Sequence, residues 1–186
     1  LGTPYAPVYL EPEYSACGEL IYKVYCCLAV RGKLQRSAEI ARRLFAAISA
    51  DTGSFKYSNT TPDTLRTAAE LMREINDAAD GGKNCAEISR ILHDSKTLGA
   101  LRAEAAAIEN LRFAAGGEVA YVVFTADMME RRGLCEDDLG ALIDLPRSIE
   151  GVAAGFTVKQ TLTDRNVFRV STRSNTDLNV ADICRK

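Results

Sequence analysis

The stretch SADTGSFKYSNTTPDTLRTAAELM, residues 49–72, joins two helical patterns through a turn that begins with an acidic residue. The apolar, alanine-rich segment before the turn ends at Asp51, and small and hydroxylated residues follow at once. Gly53 can adopt backbone angles that other residues avoid, which suits a tight turn. Thr61 followed by Pro62 is typical of a helix start, because threonine caps a helix and proline fits its first position. The stretch therefore predicts two helices joined by a turn that carries a carboxylate.

The sequence before this stretch also predicts helices. SAEIARRLFAAIS, residues 37–49, has apolar positions at helical spacing directly before the turn. EYSACGELIYKVYCCLAV, residues 13–30, has the same spacing, so one of its faces is expected to point inward. That face would be formed by Leu20, Ile21, Val24, Tyr25 and Leu28.

Strands are predicted only in the last third of the chain. EVAYVVFT, residues 118–125, has the composition of a strand, and residues 151–160 and 166–174 predict a β-hairpin. The fold class is therefore α/β, with helices in residues 1–95 and a mixed α/β region in residues 116–186. Between them, residues 96–115 predict a connector helix.

Charge, hydropathy and cysteine content argue against long nucleic acid, a membrane span and a zinc site. The net charge of −2 gives no long-range attraction to long nucleic acid, although a few local cations could hold a small anionic ligand. No apolar run is long enough to span a membrane. The six cysteines contain no CxxC pair, and the one histidine, His93, is expected to be partly exposed or hydrogen-bonded rather than a metal ligand. We expect reduced, mostly buried thiols in a cytoplasmic protein.

Two places in the sequence are candidates for chemistry. Asp51 offers a hard oxygen ligand suited to magnesium or manganese, or it accepts hydrogen bonds from its own turn. Arg173 and Ser174 follow a strand, where they hold a phosphate or form an exposed hairpin end. By strand alternation Arg173 shares a face with Arg169, and that face is expected to turn toward solvent or a cleft between domains.

Three segments carry a family resemblance. AISADTGSFKYSNTTPDTLRTAAEL, residues 47–71, resembles the fourth motif of the DHH phosphoesterases, in the branch of bacterial nanoRNases with 3'-phosphoadenosine-5'-phosphate (PAP) phosphatase activity. PEYSACGELIYKV, residues 12–24, resembles the helix that follows the family's Asp-His-His motif. VFRVSTRSNTDLNVADIC, residues 167–184, resembles the strand and Arg-Ser turn of the associated DHHA1 domain.

The resemblance implies a domain arrangement and a set of site residues. Residues 1–95 would be the end of a DHH metal-binding domain, residues 96–115 the connector helix, and residues 116–186 an incomplete DHHA1 domain. Asp51 would bind one of two divalent metal ions, with manganese the expected metal. The substrate would be held by Arg173, Ser174 and Asn175. No residue is assigned to the catalytic step itself.

The family's Asp-His-His motif, first aspartate motifs and GGGH segment are absent from the sequence. We therefore expect a part of a longer protein whose remaining metal ligands lie outside this chain, and no activity from residues 1–186 alone. The full-length protein is expected to be a metal-dependent phosphoesterase acting on short oligoribonucleotides or PAP, with a homodimer as one compatible assembly. Two alternatives remain: a cyclic-dinucleotide phosphodiesterase of the same superfamily, and a nucleotide-binding protein without catalysis.

Overall fold

The computed structural model describes residues 11–185. The chain divides into two compact units, Leu1–Ser95 and Lys96–Lys186. The first unit contains helices α1 (Cys17–Val30), α2 (Ala38–Asp51), α3 (Pro62–Asn76) and α4 (Cys85–Ser89), and α4 continues into a π-helical turn, Arg90–Asp94. No helix in residues 11–185 meets the length and hydropathy that a membrane span needs.

The helices of the first unit pack around one apolar core. It is built from buried aromatic and aliphatic side chains of α1, α2 and α3, which include Tyr22, Tyr25, Leu44, Phe45, Ile48, Leu71 and Ile75. The helix starting at Pro62 is confirmed, and Thr61 caps it by accepting a hydrogen bond from the Thr64 amide at 3.1 Å. This capping fixes where the turn after Asp51 must end.

The inward face predicted for α1 is right only in part. Tyr25 is buried as predicted, whereas Ile21 and Val24 are 55% and 54% exposed and Leu28 is exposed as well. Tyr22, which is not on the predicted face, is buried. The reason is that α1 buries a polar group together with its aromatic residues: Glu19 is 2% exposed. Apolar spacing alone does not reveal a carboxylate that has buried partners.

The second unit contains a four-stranded sheet with helices. Its elements in chain order are α5 (Leu98–Glu109), β1 (Arg112–Ala114), β2 (Val119–Phe124), α6 (Ala126–Arg132), a 3-10 segment (Asp137–Ile143), α7 (Asp144–Arg147), β3 (Ala154–Gln160), β4 (Phe168–Ser174) and α8 (Val180–Cys184). The strand order is β1-β2-β3-β4, with β2 and β3 parallel and both outer pairs antiparallel. The predicted hairpin and the α/β fold class are confirmed.

One face of this sheet carries the core of the second unit. Val122 and Phe124 of β2 pack there against Ala103, Ala106 and Ala107 of α5, the helix predicted as a connector. Small alanine side chains let a helix approach a sheet closely, so α5 contributes to this core.

The expectation of mostly buried thiols is wrong. Cys85 is buried and Cys26 is half-buried, whereas Cys17, Cys27 and Cys135 are exposed, and all five are free. Cys184 lies outside the described side chains.

Candidate functional site

Asp51 is the last residue of α2, and its side chain is exposed. Within residues 11–185 its carboxylate takes part in no hydrogen bond or ion pair. The local alternative, in which Asp51 accepts hydrogen bonds from its own turn, is therefore not what the structure contains. Thr52 is the residue that accepts a hydrogen bond from the turn instead: its buried hydroxyl accepts from the Phe55 amide at 3.1 Å.

The turn after Asp51 has an unusual backbone. Gly53, Ser54 and Phe55 have φ values of 54°, 60° and 63°, so three consecutive residues are left-handed. Gly53 adopts this conformation freely, but each non-glycine residue in it costs about 1–3 kcal/mol. A side chain at position 53 would also lie 2.3 Å from the ring of Tyr57. The surrounding structure must therefore hold this turn in place.

A buried carboxylate supplies part of that support. Glu19 Oε1 accepts hydrogen bonds from the Ser15 amide and from the Thr64 hydroxyl, both at 3.1 Å. Thr64 Oγ1 in turn accepts from the Thr61 amide at 3.2 Å. Glu19 thereby ties the start of α1 to the start of α3.

Asn59 connects this network to Asp51. Its Nδ2 donates to the backbone oxygens of Asp51 and Ser15, each at 3.2 Å. The Ser15 hydroxyl donates back to the Asn59 carbonyl. The main chain at Asp51 is therefore anchored while its carboxylate stays free. Sequence reasoning missed Glu19, although an acid among the apolar positions of α1 was a visible signal, and it included Asn59 in the motif without giving it a role.

His93 lies in the π-helical turn of the first unit and is half-buried. Its Nε2 is 2.9 Å from the buried hydroxyl of Ser49. The expectation of a partly exposed, hydrogen-bonded histidine is confirmed.

The donor set in residues 11–185 does not fit a pair of divalent metal ions. These residues contain no group of three or more His, Cys, Asp or Glu side chains arranged to hold a metal. Asp51 offers one carboxylate, and two ions need several ligands each. The described part of the chain thus presents a single candidate ligand rather than a metal centre.

The second predicted site lies at the end of β4. Arg173 is exposed, and its Nη1 donates to the Thr172 carbonyl at 3.0 Å. Arg173 and Arg169 pair with Gly155 and Lys159 of β3, and directly paired residues share a face of a sheet. That face continues onto Val122 and Phe124 of β2, but on β4 it is open, because β4 is the edge strand among the described strands. Arg169 and Arg173 are both exposed, so solvent, one of the two expected surroundings, is what the structure contains there.

Ser174 and Asn175 already have partners inside the second unit. The Ser174 hydroxyl lies 3.0 Å from the Thr176 carbonyl and also accepts from the Thr176 amide at 3.0 Å. Asn175 Nδ2 donates to the carbonyls of Arg147 at 2.6 Å and Val152 at 2.9 Å. The guanidinium of Arg173 is thus the group at this site with the most hydrogen-bonding capacity left.

Further along the same face, Lys159 is partly buried and donates from Nζ to the Leu139 carbonyl at 3.1 Å. Burial lowers the pKa of this lysine, and the nearby charge of Arg169 lowers it further. Arg169 itself lies 3.4 Å from the Glu136 carboxylate. Lys159 and Arg169 are therefore bonded to groups of other segments, whereas Arg173 bonds only to the carbonyl of its chain neighbour Thr172.

Comparisons with known proteins agree with the family resemblance. No protein-family model matches the chain. It is similar to the bifunctional oligoribonuclease and PAP phosphatase NrnA of Thermus thermophilus, with 36% identity over 63 residues, which are 34% of this chain and 18% of that protein. It is also similar to the bifunctional oligoribonuclease and PAP phosphatase NrnA of Bacillus subtilis, with 27% identity over 153 residues, 81% of this chain and 45% of that protein. The chain thus spans less than half the length of these curated relatives.

A solved structure shows the same fold. The crystal structure of an exopolyphosphatase-related protein from Bacteroides fragilis superposes with a TM-score of 0.78 and 19% identity, covering 95% of this chain and 48% of that one. Together with the curated relatives, this confirms the resemblance to DHH/DHHA1 phosphoesterases.

Proposed function

We propose that the full-length protein is a metal-dependent phosphoesterase that hydrolyses short oligoribonucleotides, PAP or both. The observation that carries the proposal is the free carboxylate of Asp51, which stands on an anchored main chain beside a left-handed turn. The two curated relatives, named as oligoribonuclease and PAP phosphatase, support the substrate class. A net charge of −2 agrees with a small anionic substrate better than with a long polymer.

In this proposal Asp51 is one ligand of a site for two divalent ions, with manganese as the expected metal. A carboxylate oxygen is the ligand type that such hard cations prefer. The other ligands would come from outside residues 11–185. Residues 1–95 then form the end of the metal-binding domain, and residues 116–186 form part of the substrate-binding domain. A cytoplasmic location and a homodimer belong to the same proposal.

We assign different parts to the three residues at the end of β4. Arg173 would hold a phosphate of the substrate, because its guanidinium can form two parallel hydrogen bonds to phosphate oxygens. Ser174 and Asn175 would keep the chain after β4 in position, since their hydroxyl and amide groups already bond to neighbouring main-chain groups.

The experiment is manganese-dependent hydrolysis of PAP and of a 5'-phosphorylated diadenylate (pApA) by the full-length protein and its Asp51→Asn variant. We expect a loss of at least about 100-fold, because a metal ion contributes several kcal/mol to the transition state. Asp77→Asn is the matched control, since Asp77 is an exposed acid that directly follows α3 in the same unit. Turnover by Asp51→Asn close to that of the control would contradict the proposal.

A further inference from the structure

Gly155 lets the end of α7 lie directly on β3. A Cβ atom at position 155 would be 2.8 Å from the backbone nitrogen of Arg147 and 3.2 Å from its Cβ. Any side chain there would displace Arg147, because real Cβ atoms do not approach other atoms so closely. The glycine therefore permits Arg147 to sit against the sheet.

Arg173 lies on the neighbouring strand beside this contact. It is the register partner of Gly155 in the antiparallel pair of β3 and β4. Directly opposed residues have Cβ positions about 5 Å apart and on the same face. Arg147 and Arg173 therefore flank one glycine on one face of the sheet.

Asn175 bonds the chain after β4 to the end of α7. Its Nδ2 donates to the Arg147 carbonyl at 2.6 Å, and its backbone amide donates to the Ala153 carbonyl at 2.8 Å. The chain directly after Arg173 is thus bonded to the last residue of α7. This arrangement fixes the main chain that carries Arg147 relative to the end of β4.

A cleft of about 250 Å³ lies next to this contact, on the Arg147 side, and is lined by Asp144, Arg147, Ser148 and Asn175. Arg147 Nε donates to Asp144 Oδ1 at 2.7 Å. Within the described residues, the Arg147 Nη groups have no partner. The ion pair orients the guanidinium and leaves the Nη hydrogens for a ligand.

We propose that Arg147 and Arg173, on either side of Gly155, form one anion site that binds the terminal phosphate monoester of the substrate. The site deepens the proposed function and rests on it for the identity of the phosphate carrier. Two arginines and Asp144 sum to one positive charge, which suits one phosphate rather than a run of them. Each guanidinium can offer paired N–H donors to phosphate oxygens, a geometry that lysine lacks. Arg147 is thereby a substrate-binding residue beyond the Arg-Ser-Asn turn.

The test is isothermal titration calorimetry of the 186-residue chain with pApA and with unphosphorylated ApA, in EDTA. We expect Arg147→Ala to weaken pApA binding about 10- to 100-fold, the effect of losing charge-assisted hydrogen bonds. The variant should change ApA binding far less, because ApA lacks the terminal monoester. Arg131→Ala, an exposed α6 arginine with no partner in the described residues, is the control for lost charge.

Arg147→Gln serves as a second variant if Arg147→Ala lowers the melting temperature, since glutamine keeps length and polarity without the charge. Absence of saturable pApA binding by the parent chain would overturn the anion site. Equal losses of affinity for pApA and ApA in Arg147→Ala would also overturn it, because Arg147 would then contact the phosphodiester or a base rather than the terminal phosphate. The binding assay needs neither metal nor turnover, so its result is independent of the phosphoesterase proposal. If Arg147→Ala weakens pApA binding as expected while Asp51→Asn keeps full activity, the anion site stands and only the phosphoesterase proposal is refuted.

Discussion

The turn after α2 and the end of β4 both carry residues expected at a functional site, but they leave different atoms free. At the turn, the carboxylate of Asp51 has no partner in the described residues, whereas the main chain around it is bonded through Asn59. At the end of β4, the hydroxyl of Ser174 and the amide of Asn175 are bonded, and the guanidinium of Arg173 makes one bond to its own strand. In each region, some polar groups are supporting groups that bond to the protein itself, and one is an available group that can still bind a ligand.

This difference separates two kinds of expected mutational effect. Replacing a supporting group leaves buried donors or acceptors unpaired, which costs stability. Replacing an available group changes ligand binding and leaves the fold alone. Variants of Glu19 and Asn59 test the supporting groups of the first unit, and variants of Arg173 test the available group of the second unit.

The largest effect on stability is expected for Glu19→Ala in the first unit. The amide of Ser15 would lose its acceptor, whereas the hydroxyl of Thr64 keeps the hydroxyls of Ser15 and Thr61 as partners, so the free energy of unfolding should fall by about 1–3 kcal/mol. Chemical denaturation measures this value. Glu39→Ala is the control, because Glu39 is an exposed acid near the start of α2 and should change stability by less than about 0.5 kcal/mol. Equal effects of the two variants would show that Glu19 supports nothing.

A functional effect without a stability effect is expected for Arg173→Ala. In the full-length protein the KM for pApA should rise about 10- to 100-fold, because a charge-assisted contact contributes about 1.5–3 kcal/mol. Arg173→Lys should also raise this KM, since lysine keeps the charge but not the fork of donors. Steady-state kinetics with pApA and ApA separate the outcomes. The same change for both substrates would make Arg173 a structural residue of the edge strand.

The smallest effect is expected for Asn59→Ala. Asn59 is exposed, so loss of its bonds to Asp51 and Ser15 should lower the free energy of unfolding by about 1 kcal/mol. Faster amide hydrogen exchange in residues 51–59 should accompany this loss, because the left-handed turn would lose its anchor. Ser58→Ala, at the neighbouring exposed position, should change neither quantity. Unchanged exchange in Asn59→Ala would remove Asn59 from the network.

Local patterns in the sequence predicted the fold class well. Thr61 and Pro62 fixed the start of α3, and Gly53 marked a left-handed turn, because both signals act through the adjacent backbone. The hairpin of β3 and β4 followed from two β-rich runs around a short turn. These features depend on residues close to one another in the chain.

Features that depend on distant partners were not predicted. Glu19 is buried because Thr64, 45 positions away, donates to it, and this turned the buried face of α1 away from Ile21 and Val24. The contact of Arg147 with Gly155 likewise exists only once α7 lies on the sheet. Alternation along β4 placed Arg173 and Arg169 on one face, but it could not show that this face continues onto Val122 and Phe124 of β2.

The role of Asp51 is tested most directly by titrating the hydrolysis rate of pApA with manganese in the full-length protein and in Asp51→Asn. If Asp51 binds metal, the manganese concentration for half-maximal rate should rise at least about tenfold, because a carboxylate ligand is replaced by a neutral amide. The KM for pApA at saturating metal should stay close to that of the parent protein. The same half-saturating manganese concentration in both proteins would contradict Asp51 as a metal ligand.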